Sequence, residues 1–250
     1  MSAALLETAV AAATAAGRLL GENFRRGTAV LSEQGKDIKT AADQEAERLI
    51  LERLARAGAG HPVLTEETGL HPGAAGDSAL MWVVDPLDGT LNYTRRLPLC
   101  CVSIALWRGT EPVLGVVHEF LHDRLFTGVV GQGAVCNGAP LSVSAVTDPA
   151  RAVIATGFPA GSDLGDAALT GFVRRVQQFK KVRLLGTAAL SLAQVAAGSV
   201  DAYAENGIHF WDVAAGLALV RAAGGSYQMG PFDAKWRCDV TATNGRLPAA

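Results

Sequence analysis

Residues 61–148 are cut into short apolar runs bounded by turn formers, and after Asp148-Pro149 the runs alternate with longer helical periods. This switch constrains the fold more than any other feature, because it separates two ways of burying apolar surface. The runs Val63-Leu64, Met81 to Val84, Val102 to Trp107, Val113 to Val117, Leu125 to Val130 and Leu141 to Val143 are too short for helices and predict a mostly antiparallel sheet. Beyond the switch, strands are expected at Ala152 to Ala155, Lys181 to Leu185, Asp201 to Glu205 and Asp239 to Ala242. Helices are expected between them at Asp166 to Phe179, Thr187 to Ala197 and Asp212 to Ala223, the alternation of an α/β half. Upstream, Leu5, Leu6, Ala9, Val10, Ala13, Ala16 and Leu20 make the apolar stripe of a helix ending near Gly27. Thr40 opens a second helix with Ala46, Leu49, Ile50 and Leu54, stopping near Gly58, and residues 27–39 between the two read as a polar, hairpin-like loop. The expected organisation is an N-terminal α+β half over 1–147, with the antiparallel sheet and a metal site, fused to a C-terminal α/β half over 148–250.

Composition narrows the function. The chain has 250 residues, 22 Lys+Arg against 24 Asp+Glu, and a formal charge of −2. Without a dense basic block, nucleic acid and anionic membrane surfaces are not expected partners. The four cysteines, Cys100, Cys101, Cys136 and Cys238, include no C-x-x-C pair and read as reduced, mostly buried thiols. The Ala-rich start lacks the basic residues of a secretion signal and carries Glu7. No stretch approaches about 20 uninterrupted apolar residues, so no membrane span is expected and the protein is read as cytoplasmic.

Chemistry concentrates in the acids. Met81 to Val84 runs straight into Asp85-Pro86-Leu87-Asp88-Gly89-Thr90; Pro86 holds Asp85 extended and Gly89 permits a sharp reversal. Thr90 to Arg96 can then form a short helix whose free N–H groups lie beside the two aspartates. Two carboxylates ~4 Å apart repel by about 4 kcal/mol at an effective dielectric near 20. Mg²⁺, with its preference for carboxylate, phosphate and water oxygens, would remove that repulsion. Each acid also has a plainer reading: D-P-x-D-G as a turn, Glu66-Glu67 as a solvated loop, Asp212 as a helix N-cap, and Asp43 as the partner of Thr40 in a capping box.

In combination these segments resemble the inositol monophosphatase family over nearly the whole chain. The resemblance rests on Trp82-Val83-Val84-Asp85-Pro86-Leu87-Asp88-Gly89-Thr90-Leu91-Asn92-Tyr93 and Trp211-Asp212-Val213-Ala214-Ala215-Gly216. Glu66-Glu67, Asp43, Gly186-Thr187-Ala188 and the segment from Asp201 to His209 support it. The resemblance implies a Mg²⁺-dependent phosphomonoesterase with a layered αβαβα sandwich of the sugar-phosphatase type. It implies Glu66, Asp85, the Leu87 carbonyl, Asp88 and Asp212 as ligands of two or three Mg²⁺ ions, and a catalytic set of Asp43, Thr90 and Glu66. In that set Thr90 and Asp43 orient and deprotonate water. Gly89 and Thr90 correspond to the phosphate cradle, with Asp88 and Asp212 also facing substrate. Gly186, Thr187, Ala188 and Glu205 correspond to contacts with the alcohol part, and Gly35-Lys36-Asp37 to a mobile loop over the site. The implied partner is a small phosphate ester, with myo-inositol monophosphate first, and the implied assembly a homodimer. Histidinol phosphate, fructose 1,6-bisphosphate and 3′-phosphoadenosine 5′-phosphate are the alternative substrates, and a non-catalytic binding protein of the same fold is the alternative from another class. Two positions depart from the usual pattern: Thr65, where Gly commonly precedes the glutamates, and Tyr93, where Phe is frequent. Cys100-Cys101 is also unusual there.

Three further features are expected to be structural. His118-Glu119-Phe120-Leu121-His122 matches the zinc-protease pattern, but lies between β-type runs where the two histidines do not converge. Gly131-Gln132-Gly133 lacks the third glycine and the helix of a dinucleotide site. His209, beside Trp211, is expected to pack or to support the site.

Overall fold

A computed structural model of the chain describes residues 2–27, 29–34, 37–56, 60–73, 79–159 and 165–248. Its elements are α1 (Ser2–Arg26), β1 (Val30–Gln34), β2 (Asp37–Thr40), α2 (Ala41–Arg56), β3 (Val63–Thr65), β4 (Gly69–His71), β5 (Leu80–Asp88), α3 (Thr90–Thr94), β6 (Cys101–Arg108), β7 (Glu111–Glu119), β8 (Arg124–Val129), β9 (Gly133–Cys136) and β10 (Ala139–Leu141). They continue with β11 (Val153–Thr156), α4 (Asp166–Gln178), β12 (Lys181–Arg183), α5 (Ala188–Ala196), β13 (Ala202–His209), α6 (Phe210–Ala222), β14 (Ser226–Met229) and β15 (Arg237–Thr243). The first sheet has the order β10-β9-β8-β7-β6-β5-β3-β4 and is antiparallel except where β3 lies parallel to β5. The second has the order β12-β11-β13-β15-β14, with β11 parallel to both its neighbours and the remaining pairs antiparallel.

Side-chain alternation builds the layers. In β5, Trp82 and Val84 face the cluster containing α1 and α2, whereas Val83 faces the one containing α5 and α6. In β6, Val102, Ile104 and Leu106 face the first side, and Cys101, Ala105 and Trp107 the second. The second sheet repeats this: Ala155 and Tyr203 point inward to α5 and α6, while Ile154, Ala202 and Ala204 form a small outer cluster. The order is therefore α1 and α2, large sheet, α5 and α6, small sheet, α4, the expected αβαβα layering. The outer layer is thin, since none of the described α4 residues is buried and Phe172 meets Phe158 at 4.8 Å. In α6, Val213 to Val220 are buried on every side, as suits a helix between two sheets.

Several details differ from the sequence reading. Part of the loop over residues 27–39 is a two-stranded antiparallel ribbon, β1 with β2. Gly35 and Lys36 of the expected mobile loop lie outside the described residues, and the backbone of Asp37 opens β2. Strands β4, β9 and β14 were not anticipated, because three- and four-residue strands carry too little periodicity to stand out. The run Leu141 to Val143 is displaced to Ala139–Leu141, and α3 ends at Thr94 rather than Arg96. Helix α6 starts at Phe210 with His209 as its N-cap, so Asp212 lies in the first turn and is not the cap. One window of the helix Ala3–Arg26 is apolar enough by composition alone to cross a membrane, but Glu7 and Arg18 interrupt it, so no stretch of about 20 uninterrupted apolar residues is present there. Its Ala9, Ala12, Ala13, Ala16 and Leu20 are nevertheless fully buried, and the helix packs on β6, β7 and α2.

Candidate active site

The apolar strand β5 carries its acids into the interior. Following Val83 by two residues, Asp85 continues the face turned toward α6. After it the register with β6 shifts between the pairs Asp85↔Ser103 and Asp88↔Cys101, and the Leu87 N–H donates to Asp85 Oδ1 at 3.0 Å. This bulge lets both Asp85 and Asp88 be buried. Gly89 then reverses the chain at φ 88°, and a Cβ there would stand 2.7 Å from the Leu99 carbonyl oxygen, so only glycine fits. Glu66 comes from the turn joining β3 to β4, on the side of Leu64, and Asp212 from the first turn of α6.

These four acids sense one another. Burial raises the Asp85 pKa well above the usual carboxylate range, and the charges of Glu66, Asp88 and Asp212 and a hydrogen bond with Glu66 raise it further. Asp212 is raised first by burial and then by Glu66, Asp88 and Glu205, against which the His209 N–H pulls it down. Burial lifts Asp88 to about 6, opposed by donors from Thr187, Ala189, Ala188 and Cys101. Among the described residues, no Lys or Arg forms an ion pair with Asp85, Asp88 or Asp212; His209 approaches Asp212 at 4.0 Å. Among the same residues, no three His, Cys, Asp or Glu side chains stand in an arrangement that could hold a metal ion as it is. Asp88 Oδ2 is turned into the start of α5, accepting from the Thr187 hydroxyl and, at 2.7 Å, from the Ala189 N–H. Buried carboxylate oxygens at Asp85 and Asp88, with no Lys or Arg paired to them among the described residues, are chemically suited to Mg²⁺, which takes hard oxygen ligands.

Two more of the candidate residues, Asp43 and Thr90, meet by a hydrogen bond, and Asp43 also caps its own helix. Asp43 Oδ2 accepts the Thr40 N–H at 2.7 Å and the Thr40 hydroxyl at 2.6 Å, while Thr40 Oγ1 takes the Asp43 N–H at 3.4 Å. The capping box is therefore real, and the other oxygen, Oδ1, meets the Thr90 hydroxyl at 3.2 Å. The same hydroxyl is 2.9 Å from the Leu87 carbonyl oxygen, so its single proton serves one acceptor at a time.

On the far side, Glu205 lies two residues after the inward-facing Tyr203 and so shares its face of β13. Burial lifts its pKa to about 7. Gly186, Thr187 and Ala188 form the turn into α5. Thr187 is the N-cap of this helix, and it hydrogen-bonds Asp88.

Sequence reasoning gave no role to Asn92, whose amide donates to the Leu99 and Leu185 carbonyls at 2.9 and 2.8 Å and so ties α3 to the turn before Gly186. Its place in the motif was the available signal. It also missed Glu47, whose spacing of one helical turn from Asp43 was the clue. The unusual residues have local explanations. Tyr93 donates its hydroxyl to the Leu20 carbonyl at 2.9 Å, tying α3 to α1. Cys101 packs its thiol 3.8 Å from Asp88 Oδ2, and burial keeps it protonated as a weak donor. The four thiols are free, with Cys136 half-buried and the other three buried. His118 lies in β7 with Nδ1 3.1 Å from the Ala13 carbonyl, whereas His122 lies in the following turn on Glu119, so the protease spacing converges on nothing. Gly131-Gln132-Gly133 is the turn between β8 and β9. His209 stacks on Trp211, ring centroids 4.6 Å apart.

The layered fold with buried acids at a strand end and at a helix start defines a class of α/β protein built around a cluster of buried carboxylates. A family model described as the inositol monophosphatase family matches residues 1–244, and the chain belongs to that family. Nus factor SuhB of Escherichia coli strain K12 is 39% identical over 224 residues, 88% of this chain and 83% of the relative. Inositol monophosphatase from Anabaena (Nostoc) superposes with TM-score 0.83 at 36% identity, over 97% of this chain and 91% of that one. Extragenic suppressor protein suhB from Bartonella henselae superposes with TM-score 0.87 at 35% identity, over 97% and 95%.

Proposed function

We propose that this chain is a Mg²⁺-dependent hydrolase of a small phosphate monoester, with myo-inositol monophosphate as its first substrate. The observation that carries the reading is the mutual electrostatic contact of the acids from β5, α6 and the β3–β4 turn, without a basic ion-pair partner for Asp85 or Asp88 among the described residues. In this reading Glu66, Asp85, the Leu87 carbonyl, Asp88 and Asp212 hold two or three Mg²⁺ ions. Leu87 keeps a second lone pair beside the one facing Thr90, and Asp88 keeps Oδ1. Bound Mg²⁺ supplies the positive charge that activates water and stabilises a leaving alkoxide.

The protein's own groups complete the chemistry. With its proton directed at Asp43 Oδ1, Thr90 Oγ1 is free to accept from the attacking water, and a proton leaving that water is relayed to Asp43. Burial raises the Asp43 pKa, the direction that suits a base, although the Thr40 and Thr90 bonds oppose it. The Gly89 and Thr90 backbone N–H groups at the start of α3 cradle phosphate, beside Asp88 and Asp212. Glu205 faces the hydroxyls of the alcohol part. Thr187 and Ala188 direct their donors at Asp88, so in this reading they and Gly186 shape the alcohol side mainly through backbone and apolar contact.

The name Nus factor, borne by the Escherichia coli relative, favours a second reading in which the same fold binds without turning over. A substrate panel with purified protein and Mg²⁺ separates them: the hydrolase reading expects phosphate release, and none from any ester overturns it. Within the panel, inositol 1-phosphate is expected to exceed histidinol phosphate in kcat/KM, and Glu205→Ala to narrow that ratio more than it slows glycerol 2-phosphate. A site matched to hydroxyl donors is left with unpaired groups when they are missing. A wild-type preference for histidinol phosphate moves the substrate while leaving the mechanism.

A further inference from the structure

We infer that Glu47 is the positioning residue that sets the acid Glu66 toward its metal, acting through Thr65, the position at which this chain departs from the usual glycine. The inference rests on the hydrolase reading and adds what holds Glu66 in place. Glu47 is 2% exposed and follows Asp43 by one turn on the same face of α2. Its Oε2 accepts the Thr65 hydroxyl at 2.5 Å and the Glu67 N–H at 3.0 Å, and its Oε1 accepts the Thr68 hydroxyl at 2.6 Å. These donors bracket Glu66 on both sides.

Strand alternation explains why the bracket works. Val63 and Thr65 belong to the face covered by α2, while Leu64 belongs to the opposite face, which Glu66 continues. Fixing Thr65 to Glu47 therefore fixes the rotation that sends the next side chain toward Asp85 and Asp212. Two outer contacts extend the bracket. Because the Thr68 hydroxyl donates to Glu47, it accepts from His71 Nε2 at 2.6 Å, and Glu67 pairs separately with Lys39 at 3.0 Å. The same helical turn thus holds both halves of the site, Asp43 on Thr90 and Glu47 on the Glu66 turn. A glycine at position 65 has no hydroxyl with which to make this tie.

A purely structural role and a positioning role predict different measurements. Groups that orient metal ligands typically change metal affinity 10–100-fold when lost. Magnesium titration calorimetry on Thr65→Ala is expected to show binding weakened about tenfold or more, and Thr65→Ser to return it to within about twofold of wild type. Glu47→Gln offers one acceptor oxygen where three donors converge, and is expected to weaken binding further and to speed hydrogen exchange at the Glu67 amide. If Glu47→Gln fails to fold, Thr65→Ala and its serine rescue carry the test. Variants that melt lower yet bind Mg²⁺ like wild type overturn the inference and leave the hydrolase reading standing. Wild-type protein that binds no Mg²⁺ overturns both.

Discussion

At the scale of single residues, Asp43 gives the sharpest separation of structure from chemistry, because its two oxygens do different things. Thr90→Ala removes the partner of Oδ1 and leaves the cap intact, so it is expected to lower kcat by about 10² to 10⁴ with little change in melting temperature. Asp43→Asn disturbs both oxygens and is expected to show a similar rate loss together with about 1 kcal/mol of lost stability. Kinetics and melts on the two variants check this, and equal stability losses would contradict the division of roles. Glu205 makes a pH prediction. Its folded pKa is about 7 against an ordinary 4.5, so the folded chain holds the proton more tightly than the unfolded one. Ionising Glu205 thus costs the folded state, and its contribution to stability falls as pH rises from about 4.5 to about 7 and then levels off. Metal-free melts across that range are expected to show a shallower decline in Glu205→Gln than in wild type.

At the scale of elements, the junction from β5 to α3 is the piece that local chemistry most fully specifies. An apolar strand, a proline that keeps Asp85 extended and a glycine at φ 88° are all visible in the residue order. The bulge between Asp85 and Asp88 was not, since it depends on the register with β6. Gly89→Ala is expected to destabilise the protein by more than about 1 kcal/mol, because the new methyl both meets the Leu99 carbonyl and adopts a left-handed conformation. It should also displace Thr90 from Asp43, so kcat falls even at temperatures where the fold is intact. Denaturant titration alongside kinetics checks both. The short strands β9 and β14 illustrate the opposite case, since pairing with β8 and β15 defines them more than their own composition does.

For the whole molecule, packing holds the acids together against their mutual repulsion. α6 lies between two sheets, and a Cβ on Gly115 of β7 would stand 2.3 Å from the Ala215 carbonyl oxygen, so the helix carrying Asp212 approaches the large sheet at backbone distance. That approach forces Asp212 toward the acids at the end of β5. Asp85→Asn removes one charge from the cluster and is expected to raise the melting temperature of metal-free protein while abolishing turnover. The same substitution should remove most of the stabilisation by Mg²⁺, which for a site filled at 100 times its Kd is about 2.7 kcal/mol. Melts of wild type and variant with and without Mg²⁺ check this, and an unchanged metal shift in the variant would remove Asp85 from the ligand set.

The chain order by itself showed a mostly antiparallel sheet followed by an α/β half, because strand and helix periods are local, and the layered sandwich came from the family resemblance carried by the two contiguous motif segments. The chain order also exposed both possible roles of Asp43 without choosing between them, since capping spacing is visible along a helix and a contact with Thr90, 47 positions away, is not. Tertiary structure decided the rest: that one carboxylate caps α2 and also reaches Thr90, that Asp88 is tied to the start of α5, and that Glu47 accepts donors on both sides of Glu66. Each of these joins groups distant in sequence, and a hydrogen bond across such a gap is specified by how the layers pack, which no run of neighbouring residues encodes.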